Sequence, residues 1–299
     1  MQIAIVDLGT NSVRFDIHQL RANKKTHQLY HKKIMIKLGD KVFTTGRLDT
    51  KAMQRTVRVF RNFKKTCLKF HVKKVIAVGT SALREAKNSY QLISRIKKQT
   101  GISIRIISGS QEAKLIANGI LAHEIIRRQN FGHIDIGGGS IEISLFKDKK
   151  LITPKSFPLG VARLQQVFLK TIPPSQEDIL KLQLYVYSTI KSSFISTKYS
   201  NSLVFLGSSG TIRSLAKLTR RQTRLKFLTP EALRDLIYIL SSLSKKQILK
   251  LDGIDPSRTE MILAGALLLE ASMLALNAKQ VIPIHSALRE GLLEHYSAK

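Results

Sequence analysis

The chain has 299 residues, 43% of them hydrophobic, with a mean hydropathy of -0.04, enough for one large or two medium domains with their own cores. No apolar run approaches the roughly 20 residues of a membrane-spanning helix, and the single cysteine, Cys67, excludes an intrachain disulfide and fits a reducing compartment. Fifty Lys and Arg against twenty Asp and Glu give a formal charge of +30, which predicts attraction to polyanions such as inorganic polyphosphate, nucleic acid or an anionic membrane surface, or else reflects a general basic bias.

Met1 to Asp7 runs straight into a strand with no basic leader or cleavage site, so the reading is a cytoplasmic protein without a membrane anchor. The apolar run Ile3–Val6 ends in Asp7-Leu8-Gly9-Thr10-Asn11-Ser12, and a second strand from Val13 to about Leu20 completes a hairpin. More strand is expected at Ile34–Leu38. Lys51–Phe70 reads as a helix, because Met53, Val57, Phe60, Phe63 or Cys67, and Phe70 recur at three- and four-residue spacing. Cys67 falls on that apolar seam and reads as packing. Between Lys51 and Lys74 stand nine Lys or Arg and no acid, either a solvated helix face or a basic wall for a polyanion.

A buried strand at Val75–Gly79 precedes a helix opening at Thr80 and ending near Gly101. A strand at Ile102–Ile107 leads to a helix that runs through about Arg128, and its Ser108-x-x-Gln111 spacing predicts a capping box. Phe131–Ile134 then ends in Asp135-Ile136-Gly137-Gly138-Gly139-Ser140, followed by strands at Ile141–Phe146 and Leu151–Phe157. Further on, a helix is expected over Ser175–Ser193, a strand over Leu203–Leu206, and a third glycine turn at Gly207-Ser208-Ser209-Gly210-Thr211. Pro256–Leu276 reads as one long apolar helix whose Ala264-Gly265-Ala266 suits close packing. Gln280–Ile284 and His285–Tyr296 read as the last strand and helix. The repeated units predict α/β architecture in two similar halves, 1–120 and 121–299, with the last helix a candidate to pack back on the first half.

The chemistry lies in the repeated turn. A strand ending in Asp and followed by glycines and hydroxyl or amide side chains concentrates backbone N–H groups for phosphate oxygens, and the Asp can hold a hard cation beside them. It is neither a P-loop, since no Gly-Lys-Ser/Thr follows, nor a dinucleotide fingerprint, since Glu142 stands where a third glycine belongs and a strand comes next. Arg84, in the first turn of a helix, can grip phosphate or pair with Glu85 or another acid, and Asn88 can orient it or face solvent. Glu112, at another helix start, either complements the helix dipole or acts as a general base. The eight histidines show no metal-ligand spacing, which speaks against a zinc hydrolase. No familiar nucleic-acid motif and no Trp are present, leaving nucleic acid only a non-specific charge interaction.

Taken in order, these motifs together with Ser156-Phe157-Pro158-Leu159-Gly160 and Arg289-Glu290-Gly291-Leu292 resemble the exopolyphosphatase/guanosine-pentaphosphate phosphohydrolase (Ppx/GppA) family in its short, two-domain form. The resemblance implies two ribonuclease-H-like domains of the actin-like ATPase superfold with an interdomain cleft. It also implies hydrolysis of the terminal phosphoanhydride of polyphosphate with Mg²⁺ or Mn²⁺. It makes Glu112 the catalytic glutamate, Asp135 and Glu142 the metal-side carboxylates, and Asn11, Ser12, Arg84, Gly138, Gly139 and Ser140 the phosphate contacts. A homodimer is implied as well. Two departures stand out: Gln111 precedes Glu112 where the family often has paired acids, and the third turn replaces the more usual Gly-Thr-Gly-Gly-Thr. The alternatives are a guanosine pentaphosphate (pppGpp) hydrolase, a kinase of the same superfold, and, in another class, a polyphosphate or RNA sensor of weak activity.

Overall fold

A computed structural model describes residues 1–20, 26–123, 129–194 and 204–297, an α/β chain with two five-stranded mixed sheets. It divides into two compact units, Met1–His123 with Ser286–Lys299, and Glu124–His285. None of the described helices is long and apolar enough to cross a membrane.

In the first unit, β1 (Gln2–Leu8) pairs antiparallel with β2 (Ser12–Leu20) and parallel with β4 (Lys74–Gly79). Strands β3 (Thr26–Met35) and β5 (Ile104–Ile106) complete the order β3-β2-β1-β4-β5. β3 begins well before the predicted Ile34, because this edge strand is largely polar and lacks an apolar alternation. It also ends sooner. Ile36 and Lys37 leave the ladder, Lys37 at φ 47°, and donate their amides to the Asn11 carbonyl.

The helices of this unit are α1 (Val42–Thr45), α2 (Thr50–Lys69), α3 (Ser81–Glu85), α4 (Ser89–Thr100) and α5 (Gly109–His123). Asp49 caps α2, accepting from the Ala52 amide at 3.0 Å. Met53, Val57, Phe60, Phe63 and Cys67 are buried as their spacing predicts, and all seven Lys and Arg of α2 are exposed. Burial pushes the Cys67 thiol up to about 11, so it packs rather than reacts. The helix expected from Thr80 to Gly101 is broken at Ala86–Asn88. There the Lys87 amide bonds Gly46 O at 2.9 Å, and the Asn88 side chain clamps Leu48 N and O at 2.8 and 3.1 Å. Asn88 therefore neither orients Arg84 nor faces solvent.

The second unit repeats the sheet. β6 (Phe131–Ile136), β7 (Ile141–Lys147), β8 (Lys150–Phe157), β9 (Val204–Ser208) and β10 (Gln280–Pro283) lie in the order β8-β7-β6-β9-β10, the same topology as the first. Helices α6 (Val161–Val167), α7 (Gln176–Phe194), α8 (Gly210–Thr223), α9 (Pro230–Ser242), α10 (Lys245–Leu249) and α11 (Ile262–Ala275) accompany it. The helix predicted from Pro256 is a 3-10 turn, Pro256–Arg258, followed by α11. Asp255 caps the turn through Ser257 N at 3.0 Å. Apolar on all sides, α11 is buried except at Leu274.

The last helix, α12 (Leu288–Ser297), belongs to the first unit and packs on α5. Their backbones meet at Gly291, where an added Cβ would lie 1.8 Å from Leu115 O. Arg289 reaches buried Asp16 on β2, which also pairs with His31 Nδ1 at 2.5 Å. The Arg-Glu-Gly-Leu motif thus closes the first unit.

Candidate functional site

The two Asp–Gly turns share one internal geometry. Gly9 N donates to Ser12 O at 3.0 Å, and Gly137 N to Ser140 O at 2.9 Å. In both, amides arriving after the third strand engage the turn's carbonyls. Gly39 N bonds Thr10 O at 2.8 Å, while Ala162 N and Arg163 N bond Gly138 O at 2.7 and 3.2 Å. Arg163 Nε adds a bond to Gly139 O at 3.0 Å. Apart from the Gly9 and Gly137 amides, which close the hairpins, these bonds hold each turn through its carbonyls rather than through the amides an anion requires.

Gly160 makes the second arrangement possible. A Cβ there would stand 2.3 Å from both Gly138 C and Gly139 N, backbone atoms with little room to give. The Leu-Gly pairs Leu38-Gly39 and Leu159-Gly160 are thus a second duplicated element, with both leucines fully buried.

The copies differ in charge. On the first hairpin, Asp7 faces Arg14 in register and pairs with it at 3.1 Å. On the second, Asp135 faces Glu142 at the equivalent position. Glu142 is 1% exposed and accepts from Ser156 Oγ at 2.8 Å. Like charges opposed across a ladder are destabilising unless something neutralises them. Two hard carboxylates suit a Mg²⁺-type ion, which takes one or two protein carboxylates and completes its shell with water and phosphate. Among the described residues no group of three or more His, Cys, Asp or Glu forms a metal cage; the opposed pair itself fits this shared mode of binding.

Arg84 and Glu112 meet in the first unit. Arg84 Nη1 bonds Ile107 O at 2.8 Å and Glu112 Oε2 at 3.2 Å. Glu85 instead accepts from Ser81 Oγ at 3.1 Å. The start of α5 is the predicted capping box, with Gln111 N to Ser108 Oγ at 3.2 Å and Ser108 N to Gln111 Oε1 at 3.0 Å. Gln111 is exposed and occupied in capping, whereas Glu112 is 7% exposed. Adjacent residues in the first turn of α5 thus provide a structural amide and a buried carboxylate held by a guanidinium.

The third glycine turn stands out in the sequence, but neither the part played by its Ser208 nor His133 beside it does. Ser208 Oγ donates to Asp135 Oδ1, and His133 Nε2 lies 2.9 Å from the same Oγ. Burial pushes the His133 imidazole down to about 3, so it is neutral. Ser209 caps α8 through Ile212 N at 3.3 Å, and Arg258 Nη1 meets Thr211 Oγ1 at 3.3 Å. The available signal for Ser208 was its place beside Asp135 in a parallel pair, which needs the strand order and not the motif alone. Of the predicted site residues, Asn11, Ser12, Arg84 and Glu112 lie in the first unit. Asp135, Gly138, Gly139, Ser140 and Glu142 lie in the second.

A sequence profile of the Ppx/GppA phosphatase family matches residues 17–298. Exopolyphosphatase 1 of Mycobacterium tuberculosis is 27% identical over 300 residues, covering 98% of this chain and 87% of its own length. Exopolyphosphatase 1 of Mycobacterium leprae is 29% identical over 307 residues, with coverages of 98% and 88%. An exopolyphosphatase structure from Cytophaga hutchinsonii superposes with a TM-score of 0.89 at 25% identity, covering 100% of this chain and 98% of that one. The Aquifex aeolicus Ppx/GppA family member gives 0.79 at 25% identity, with coverages of 99% and 97%.

Proposed function

The chain belongs to the Ppx/GppA phosphatase family, and we propose that it is an exopolyphosphatase, removing the terminal phosphate of inorganic polyphosphate by attack of water. The observation that carries the reading is the opposed pair Asp135 and Glu142, where the sister hairpin has Asp7 and Arg14. One copy neutralises its aspartate internally, while the other concentrates negative charge beside a glycine turn. Relatives named exopolyphosphatase match nearly the whole chain and point to the same substrate.

Asp135 and Glu142 hold Mg²⁺ or Mn²⁺, which when bound neutralises charge on the transferring phosphoryl group. Asn11 and Ser12 on one turn, and Gly138, Gly139 and Ser140 on the other, bind phosphate oxygens. Arg84 grips another oxygen through the guanidinium that otherwise pairs with Glu112. Glu112 orients the water and takes its proton. The burial of Glu112 keeps the proton acceptor away from bulk solvent, and the Ile107 carbonyl holds Arg84 in place as its partners exchange.

The test is phosphate release from long-chain polyphosphate with Mg²⁺, beside the same assay on pppGpp. Turnover of polyphosphate is the expected result, and Glu112→Gln lowers it by about 10²–10⁴-fold. Turnover confined to pppGpp moves the chain to guanosine pentaphosphate hydrolysis. A fully active Glu112→Gln removes that residue's role.

A further inference from the structure

The third glycine turn is tied to Asp135 by a chain of hydrogen bonds in which every proton has one place to go. Asp135 and Ser208 are register partners on the parallel strands β6 and β9, and His133 lies two residues before Asp135 on the same face. Ser208 Oγ donates its only proton to Asp135 Oδ1. The 2.9 Å contact between His133 Nε2 and that Oγ must then be donated by the imidazole. The contact therefore places an N–H on Nε2, whatever the charge of the ring. Nδ1 is buried with no hydrogen-bond partner among the described residues.

We infer that His133 and Ser208 are positioning residues for Asp135: the relay His133 Nε2–H to Ser208 Oγ–H to Asp135 Oδ1 fixes the carboxylate's rotation and presents Oδ2 to the divalent cation. This rests on the proposed metal-side role of Asp135. It assigns the serine of the third turn to holding a metal-side carboxylate. Hydrogen-bonded partners of this kind commonly govern metal affinity by 10–100-fold when removed. Ser208, one bond from the carboxylate, matters more than His133, two bonds away.

Two measurements test the relay. In the metal-free protein with ¹⁵N-labelled histidine at pH 7, NMR should show His133 with the proton on Nε2, identified by the signal lost in His133→Phe. An unprotonated Nε2 overturns the relay. Second, Mn²⁺ binding is measured by electron paramagnetic resonance on variants whose circular dichroism matches wild type. Ser208→Ala is expected to weaken Mn²⁺ binding by about 10–100-fold, Ser208→Thr to restore it, and His133→Phe to weaken it less than Ser208→Ala. Asp135→Asn separates the two layers of the argument. If it abolishes Mn²⁺ binding while Ser208→Ala binds as wild type, the relay fails and the metal site stands. If Asp135→Asn itself binds Mn²⁺ normally, the metal-side reading fails and the inference falls with it.

Discussion

Gly160→Ala is the sharpest test of how the second glycine turn is built. The added methyl would lie 2.3 Å from Gly138 C and Gly139 N, where contacts below 3.0 Å essentially never occur, so the backbones must separate by at least the difference of 0.7 Å. Neither side can yield by rotating a side chain. Moving apart stretches the bonds from Ala162 N and Arg163 N to Gly138 O, now 2.7 and 3.2 Å. Overpacking of this kind costs about 1–3 kcal/mol, read as a drop of several degrees in melting temperature. The larger effect falls on catalysis. A displacement approaching 1 Å in a positioning group costs roughly 10²-fold in rate, so kcat/KM for polyphosphate should fall by about that factor while the variant remains folded. The assay is steady-state phosphate release beside a thermal melt. A variant with wild-type kcat/KM would show that the turn's position does not set the chemistry, and the phosphate-cradle argument would fail with it.

Three further outcomes are expected. If the basic surface steers a polyanion, kcat/KM for long polyphosphate falls steeply with added NaCl; a flat response assigns the +30 charge to another purpose. Ser209 holds φ 100° and ψ 164°, a region that favours glycine, so Ser209→Gly should stabilise by about 1 kcal/mol after the lost cap and added chain entropy are subtracted, whereas Ser209→Ala keeps the strain, loses the cap and destabilises. A melt in which both variants shift the same way rejects the strain. Burial raises the pKa of Glu270 above its ordinary 4.5, against the opposing pull of Gln183 and Arg234. The folded state then keeps a proton that the unfolded chain releases, so this stability is full below about pH 4.5 and is lost as pH rises through the folded pKa. Glu270→Gln should flatten that part of the melting-temperature profile, and an unchanged slope would discount the burial effect.

The sequence disclosed elements wherever local period and burial coincide. α2 was legible because Met53, Val57, Phe60 and Cys67 line one face while its cations line the other. β3 was not, because its exposed edge carries residues such as His27, Gln28, Lys32 and Lys33 with no core-facing alternation to mark it. The break between α3 and α4 escaped notice for a different reason. What stops the helix is the bonding of Asn88 to Leu48, a partner 40 residues away that no local window contains. The same holds for Pro256–Arg258, where Arg258 is engaged by Thr211 from another element.

The candidate site divides along the same line. Its motif residues could be named because glycines, hydroxyls and carboxylates in fixed order carry their chemistry on the surface of the sequence. The sequence already set the two copies apart, with Asp135 and Glu142 on the metal side and Asn11 and Ser12 on the phosphate side, but the physical reason depends on which residue stands opposite each aspartate. Arg14 and Glu142 both follow their aspartates by seven residues, and only the antiparallel register turns that common spacing into a direct pairing. The pairing makes charge, rather than the shared turn, the property that separates the copies. A carboxylate opposite Asp7 in place of Arg14 would give the first hairpin the donor pair of the second. Arg14→Glu in the metal-free protein should therefore lower stability through the unpaired Asp7, and added Mn²⁺ should recover part of the loss in a thermal melt. If Mn²⁺ gives the variant no more protection than wild type, opposed carboxylates beside the turn are not sufficient for a cation site. The distinction would then pass to what the second hairpin has in addition, the hydroxyls of Ser156 and Ser208 on its two carboxylates.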